Sequence, residues 1–579
     1  MASENGGRVR AGSAATLEAE GRLLTKLGSL PVLVVWHEGR VYALEDRCPH
    51  MGFPLHRGTC EDGLLTCHWH HARFDLASGC TLDRWADDTR AFDVEIADGD
   101  VWVSARDGGD NVEHLHQRLR EGLEDGTSLV IAKAVLGLVD AGVDPADLVR
   151  TGLEFGARNR AGGWGTGLTV LVAMANVLPH LDADDRAAAL IHALVFVSND
   201  TRGNAPRFDV PPLLTSTVSP DRLAEWYRRF VDTRSAGAAE RVLATALAGD
   251  VADADVEAML FAAVTDHVFV DGGHTLDFTN KAVEVLRQVG PASRALVLPT
   301  LVAQTAVAGR SEEGSDWRYP DNLVALLRSA TDALPDALEE GRARRGEFQD
   351  VAGLGDQLLG EDPAAIVDAL LDAVRAGATD EQVGRAVALA ASRRVVRFHT
   401  QNDFGDWDTV HHTFTADNAL HQALLRAPTV ELLRGAFHGA LRVYLDRFLN
   451  VPPARLPTAE TGSLEALVAC FDVQGDVDVA GNEAYGYLRS GGSRASLVAA
   501  LGRRMLDEDV GFHTYQHYEA SVRQAFAWPE GSEEAALILT GCARYLAAHA
   551  PTRRELPTVI TIASRLRRGE HLFEEAVAS

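Results

Sequence analysis

Residues 48 to 71 read CPHMGFPLHRGTCEDGLLTCHWHH: three cysteines and five histidines in a chain that has only six cysteines among 579 residues. Cys48-Pro49-His50 is followed, sixteen residues on, by Cys67-His68-Trp69-His70, a C-x-H…C-x-x-H pattern. Around it, alternating stretches (LPVLVVWHEGRVYAL and FDVEIADGDVWVSA) centred on Glu38-Gly39 and Asp98-Gly99 predict short strands joined as hairpins over residues 28 to 105. Two loops, each ending a hairpin, can converge so that two thiolates hold one iron and two imidazoles another. A zinc ribbon draws on the same residue types, but usually as C-x-x-C pairs.

In these residues the chain resembles the Rieske [2Fe–2S] proteins, over residues from about 20 to 106 and including the glycine-containing FDLASG after the second loop. The resemblance implies a small all-β domain in which Cys48 and Cys67 bind one iron and His50 and His70 the other. Rieske proteins of respiratory complexes add a disulfide between the loops and hydroxyl groups aimed at the cluster. Here the disulfide positions are Phe53 and Trp69, and the hydroxyl positions are Ala72 and Phe74. Fewer donors to sulfur mean a lower potential, so the resemblance is to the soluble ferredoxin type found in oxygenases and in small nitrite-reductase-like subunits. It implies a reductase or ferredoxin as electron donor. His56, His68 and His71 read as supporting or solvent residues, and Cys60 and Cys80 as ordinary thiols.

After RDGGDN (106–111) the pattern changes to helix after helix, with apolar residues every three or four positions, as in PAAIVDALLDAVRAG. The large all-α part reads as an internal duplication. Segments 135–160, 163–178, 190–196 and 273–286 are echoed in order at 370–394, 406–420, 436–442 and 512–526, setting His192 opposite His438 and His274 opposite His513. The expected domains are therefore 1–108, 113–345 and 346–579.

A ring-hydroxylating oxygenase domain needs strands and a His-x4-His pair, and neither is evident after residue 110. Histidines in the helices offer another centre. Segment 397–424 holds four histidines and four aspartates; Asp417 and His421 are four apart, as are His513 and His517. Four imidazoles at equivalent inward positions would need a shared partner. The candidate catalytic set is therefore His192, His274, His438 and His513, with His412, His421 and His517 as further metal ligands. FTNKAVEVLRQVG (278–290) and AFHGALRVYL (436–445) resemble segments of questin-oxidase-like proteins, helical oxygenases acting on polycyclic aromatic ketones. These segments are too short to carry over any catalytic residue.

A formal charge of −28 argues against nucleic acid and anionic membranes as partners. The most apolar run, GLTVLVAMANVLPHL, falls short of the ~20 residues of a membrane-spanning helix. The first residues lack the apolar stretch of a signal peptide, and the location expected is cytoplasmic. The expected function is an oxidoreductase in which the cluster feeds a non-haem iron in the helices that uses O2 on a small organic substrate. The rival reading is a redox sensor or scaffold whose helices bind a partner and hold no second metal.

Overall fold

A computed structural model describes residues 7–105, 112–214, 218–249 and 251–570. Compactness divides the chain into two units, Met1–Pro145 with Glu555–Ser579, and Ala146–Arg554. The RDGGDN segment, where the sequence sets the domain boundary, lies outside the described residues.

In the first unit the strands are β1 (Arg8–Ser13), β2 (Arg22–Leu27), β3 (Leu30–His37), β4 (Arg40–Glu45), β5 (Thr59–Glu61), β6 (Leu64–Thr66), β7 (Arg73–Asp75), β8 (Ala91–Ala97) and β9 (Asp100–Ala105). They form an antiparallel six-stranded sheet, ordered β1-β9-β8-β4-β3-β2, and a three-stranded sheet, β5-β6-β7. Three hairpins turn on two residues that both have positive φ: Glu38-Gly39 (50° and 74°), Asp62-Gly63 (50° and 76°) and Asp98-Gly99 (53° and 81°). That backbone matches the right-handed twist of the strands it joins. β3 is buried on both faces: Leu33 and Val35 enter one core with Cys48 and Cys67, while Val32 and Val34 enter another with Phe92 and Val101. β1 lies in a stretch too polar to read as a strand, and it is recruited by pairing with β9.

The first unit does not stop at residue 108, where the sequence ended it. After the short α1 (Ala14–Glu20) between β1 and β2, helices α2 (Val112–Asp125) and α3 (Ser128–Asp140) belong to it, as does the helix Glu555–Arg567, which packs on α3. The reason is polar as well as apolar. Arg118 of α2 donates to the carbonyl of Ala86 (2.6 Å) and pairs with Asp87 (3.2 Å), and Arg567 pairs with Asp140.

The second unit is helical. Its centre is the helix Phe404–Arg426, packed by Asp380–Val396, His274–Val289, Val430–Asp446 and Phe512–Phe526. From Val410 to Leu424 that helix is buried almost all round, so His411, Asp417, Asn418 and His421 must find partners inside. The expected break at 345/346 is not a division between compact units. The helix Leu323–Gly341 packs on Pro363–Arg375, so closely that a Cβ at Gly341 would lie 2.1 Å from the Val374 carbonyl oxygen. Among the described residues no helix is long and apolar enough to cross a membrane.

Candidate metal centres

The loops after β4 and β6 repeat one design. Cys48 N–H donates to the Phe53 carbonyl (2.7 Å) and Gly52 N–H returns to Cys48 (2.7 Å). In the second loop Cys67 N–H donates to Ala72 (2.8 Å) and His71 N–H returns to Cys67 (2.9 Å). The fifth residue of each turn is left-handed, Gly52 at φ 77° and His71 at φ 64°. The matched turns aim two buried thiols at each other, neither in a disulfide, and bring the Nδ1 atoms of His50 and His70 to 3.2 Å. The hydrogen bond between the thiols, with the N–H groups of Trp69 and His70, lowers Cys67 to about 6 and raises Cys48. Burial, then the neighbouring His70, lowers His50 to about 4. This set of two sulfurs and two imidazole nitrogens fits a [2Fe–2S] cluster with one iron on each pair, and the same set suits zinc.

The flanking residues follow the expectations. His56 bonds Asp46 through Nδ1 (2.7 Å), and His68 and His71 are exposed. Ala72 and Phe74 are fully buried beside the thiols. Trp69, at one of the disulfide positions, lies over His70 (4.5 Å between ring centres); Trp85, which was not singled out from sequence, sets its edge on His50 (4.9 Å). Lys133 of α3 was missed as well. Its ammonium donates to the Pro49 carbonyl (3.0 Å), inside the first loop, and pairs with Asp87 (2.8 Å).

In the second unit three histidines from three helices meet. His274, His412 and His513 each offer a nitrogen, and those atoms lie within 4.8 Å of one another. The rings of His274 and His513 are parallel, and the Nε2 atoms of His412 and His513 are 3.0 Å apart. Asp408, one turn before His412, approaches Nδ1 of His513 (3.2 Å) and so leaves Nε2 free to bind. Burial, then the neighbouring imidazoles, brings His412 down to about 3; burial also lowers His274. Both are neutral near pH 7, the form in which an imidazole can donate to a metal. Gly273 sets the approach: at φ +95° its absent Cβ would lie 2.6 Å from that of Ala416. A buried seam ties the helices of His274 and His513 together. Gln516 donates to Asp277 (2.5 Å), and Lys281 bridges Asp277 (2.9 Å) and Glu519 (3.2 Å).

Of the seven histidines singled out from sequence, the group takes in His274, His412 and His513. His517 lies beside it, paired through Nδ1 with His411 (3.3 Å), which the sequence reading passed over. The other three stand apart, so the expected pocket shared by His192, His274, His438 and His513 is not formed. His192 bonds the Tyr515 hydroxyl (2.7 Å), and Tyr515, about 200° round its helix from His513, points the other way. His438 lines a cavity of about 20 Å³ with Asp417. His421 is taken up by Gln524 (3.1 Å) and Glu381 (3.3 Å).

Residues 8–92 match the family of the Rieske [2Fe–2S] domain, and this part of the chain is such a domain. Among curated proteins the chain is similar to Apoptosis-inducing factor 3 of Homo sapiens, 37% identical over 14% of this chain and 13% of that protein. It is also similar to the ferredoxin component of the alkene monooxygenase system of Xanthobacter autotrophicus, 32% identical over 13% of this chain and 64% of that one. A solved complex of reduced oxygenase and oxidised ferredoxin in carbazole 1,9a-dioxygenase aligns at 23% identity and a TM-score of 0.17, over 18% of this chain and 96% of that one. The chain thus spans about an eighth of the length of the first of these relatives.

Proposed function

We propose that this protein is an oxygenase-type oxidoreductase: its Rieske cluster takes electrons from a reductase or ferredoxin and supplies a non-haem iron held by His274, His412 and His513. An iron so bound, with open coordination positions, supplies one-electron chemistry with O2. The chain's residues hold His274 and His412 neutral and fix the tautomer of His513 through Asp408. The organic substrate would be oxidised there. The observation that carries the reading is the meeting of three histidines from three helices, one of them backed by a carboxylate. The relative in an alkene monooxygenase system supports the oxygenase class.

Iron and acid-labile sulfide per chain provide the test. A sulfide-free iron in the wild type, lost in His412→Ala with the Rieske electron paramagnetic resonance signal intact, supports the reading. If cluster iron accounts for all the iron in both proteins, the reading fails and a redox-sensing role remains.

A further inference from the structure

One buried side chain near the three histidines has chemistry that metal binding does not use. Tyr545, in the helix Glu533–Ala548, is fully buried and its hydroxyl donates to Asp408 Oδ1 (3.0 Å). The other oxygen of that carboxylate faces His513 Nδ1 (3.2 Å). One carboxylate thus links the phenol to a ligand of the proposed iron. The ring is sandwiched: His517 stacks on it at 4.0 Å and 12°, and His549 at 4.3 Å and 28°. Beyond it Trp407, also buried, lies edge-on at 6.2 Å and continues to Phe398 at 5.1 Å.

We propose that Tyr545 is a redox-active residue, an electron reservoir for the three-histidine centre that is oxidised to a neutral tyrosyl radical while Asp408 takes its phenolic proton. This rests on the iron-centre reading above. The oxidant is O2 acting through the bound metal. In the step the Tyr545 O–H bond breaks: one electron leaves for the oxidised centre and the proton passes along the existing hydrogen bond to Asp408. One electron from the Rieske cluster and the return of the same proton restore the phenol. Losing an electron alone would leave a charged radical in a site with little water to stabilise it, so a proton acceptor already in contact is the feature that makes oxidation feasible. The histidines on both ring faces exclude solvent and small reductants. A purely structural tyrosine would need the hydrogen bond but would have no connection to the oxidation state of the metal.

The test uses the full chain with its cluster pre-oxidised, loaded with Fe(II) without oxygen, then mixed with O2 and freeze-quenched. Electron paramagnetic resonance should show an organic radical whose hyperfine pattern collapses when ring-deuterated tyrosine is incorporated. Tyr545→Phe should lose the signal while keeping its sulfide-free iron and its Rieske spectrum, which shows that it folds. In Asp408→Asn, with a poorer proton acceptor, the radical yield per bound iron should fall to a small fraction. If iron binds but no tyrosyl radical forms, or if the radical survives in Tyr545→Phe, the inference is wrong and the iron centre stands. If no sulfide-free iron binds at all, the iron-centre reading fails and takes this inference with it.

Discussion

The candidate cluster residues lie between positions 48 and 70, on two loops that repeat one pattern of backbone hydrogen bonds; the clustered histidines lie between 274 and 513, on three helices that meet only when the second unit has folded. In the first centre each ligand is aimed by its own turn, so the geometry is written locally. In the second, each histidine is aimed by packing at a distance: Gly273 against Ala416, Gln516 and Lys281 on Asp277, and Asp408 on His513. A local site tolerates change elsewhere in the chain and fails outright when a ligand is lost. A site assembled at long range should weaken by degrees as its supports are removed.

The largest effect should come from Cys67→Ala. The cluster needs both thiolates on one iron, so colour, acid-labile sulfide and the Rieske signal should all vanish. The second unit should keep its far-ultraviolet circular dichroism and the sulfide-free iron proposed for it. Loss of that iron as well would show that the two centres are not independently built, and the contrast would break.

Asp408→Asn probes the supports. Partners behind a metal-bound histidine typically contribute 10–100-fold in metal affinity, and a loss of that order is expected here, read by competition with a chelator. Gly273→Ala should act in the same direction, because it combines a forbidden φ with a Cβ 2.6 Å from its neighbour. Unchanged affinity in both variants would mean that the three histidines are held by their own helices alone.

The same contrast explains what could be read from the chain. C-x-H…C-x-x-H carries its geometry in its spacing, and the hairpin dipeptides carry theirs in a positive φ. The helical residues carried less. His274, His412 and His513 were legible as candidates, yet their grouping was not, because the echo that pairs His274 with His513 equally pairs His192 with His438. The structure turns His192 toward Tyr515 instead. Phe404–Arg426 has no clean apolar stripe, so sequence could not say which of His411, His412 and His421 face one another. Asp408 was readable in principle, four residues before His412. Tyr545 carried no such signal, and its place depends wholly on tertiary packing.

Acid should weaken the second unit more gently. Burial lowers His192 and His438 from 6.5 to about 4. Their folded values lie below the unfolded one, so the unfolded chain takes protons that the folded chain refuses. The stability of these neutral residues is therefore intact above pH 6.5 and declines as the pH falls toward 4. The slope approaches about 1.4 kcal/mol per pH unit for each residue. Thermal melting of the second unit between pH 7.5 and 5 should show the decline, and His192→Gln should make it shallower. An equally steep decline in that variant would remove His192 as a cause.

The smallest effect tests whether the cluster site is as local as its loops suggest. Lys133 lies beyond the matched Rieske residues, yet it donates to the carbonyl of Pro49 and pairs with Asp87, two residues from the Trp85 that touches His50. Its positive charge beside the loop favours the added electron of the reduced cluster, and Asp87 cancels part of that field. Lys133→Met should therefore lower the midpoint potential on the order of tens of millivolts, while Lys133→Arg, which keeps the charge, should largely restore it. A redox titration followed by the Rieske signal reads both. A fragment ending at Ala105 lacks α3 and should share the lowered potential. If Lys133→Met titrates with the wild type, the loops alone set the potential and the contrast between the centres holds in full. If only Lys133→Arg recovers it, the helix after the domain is part of the cluster's working site, and the boundary read near residue 110 divides a functional unit.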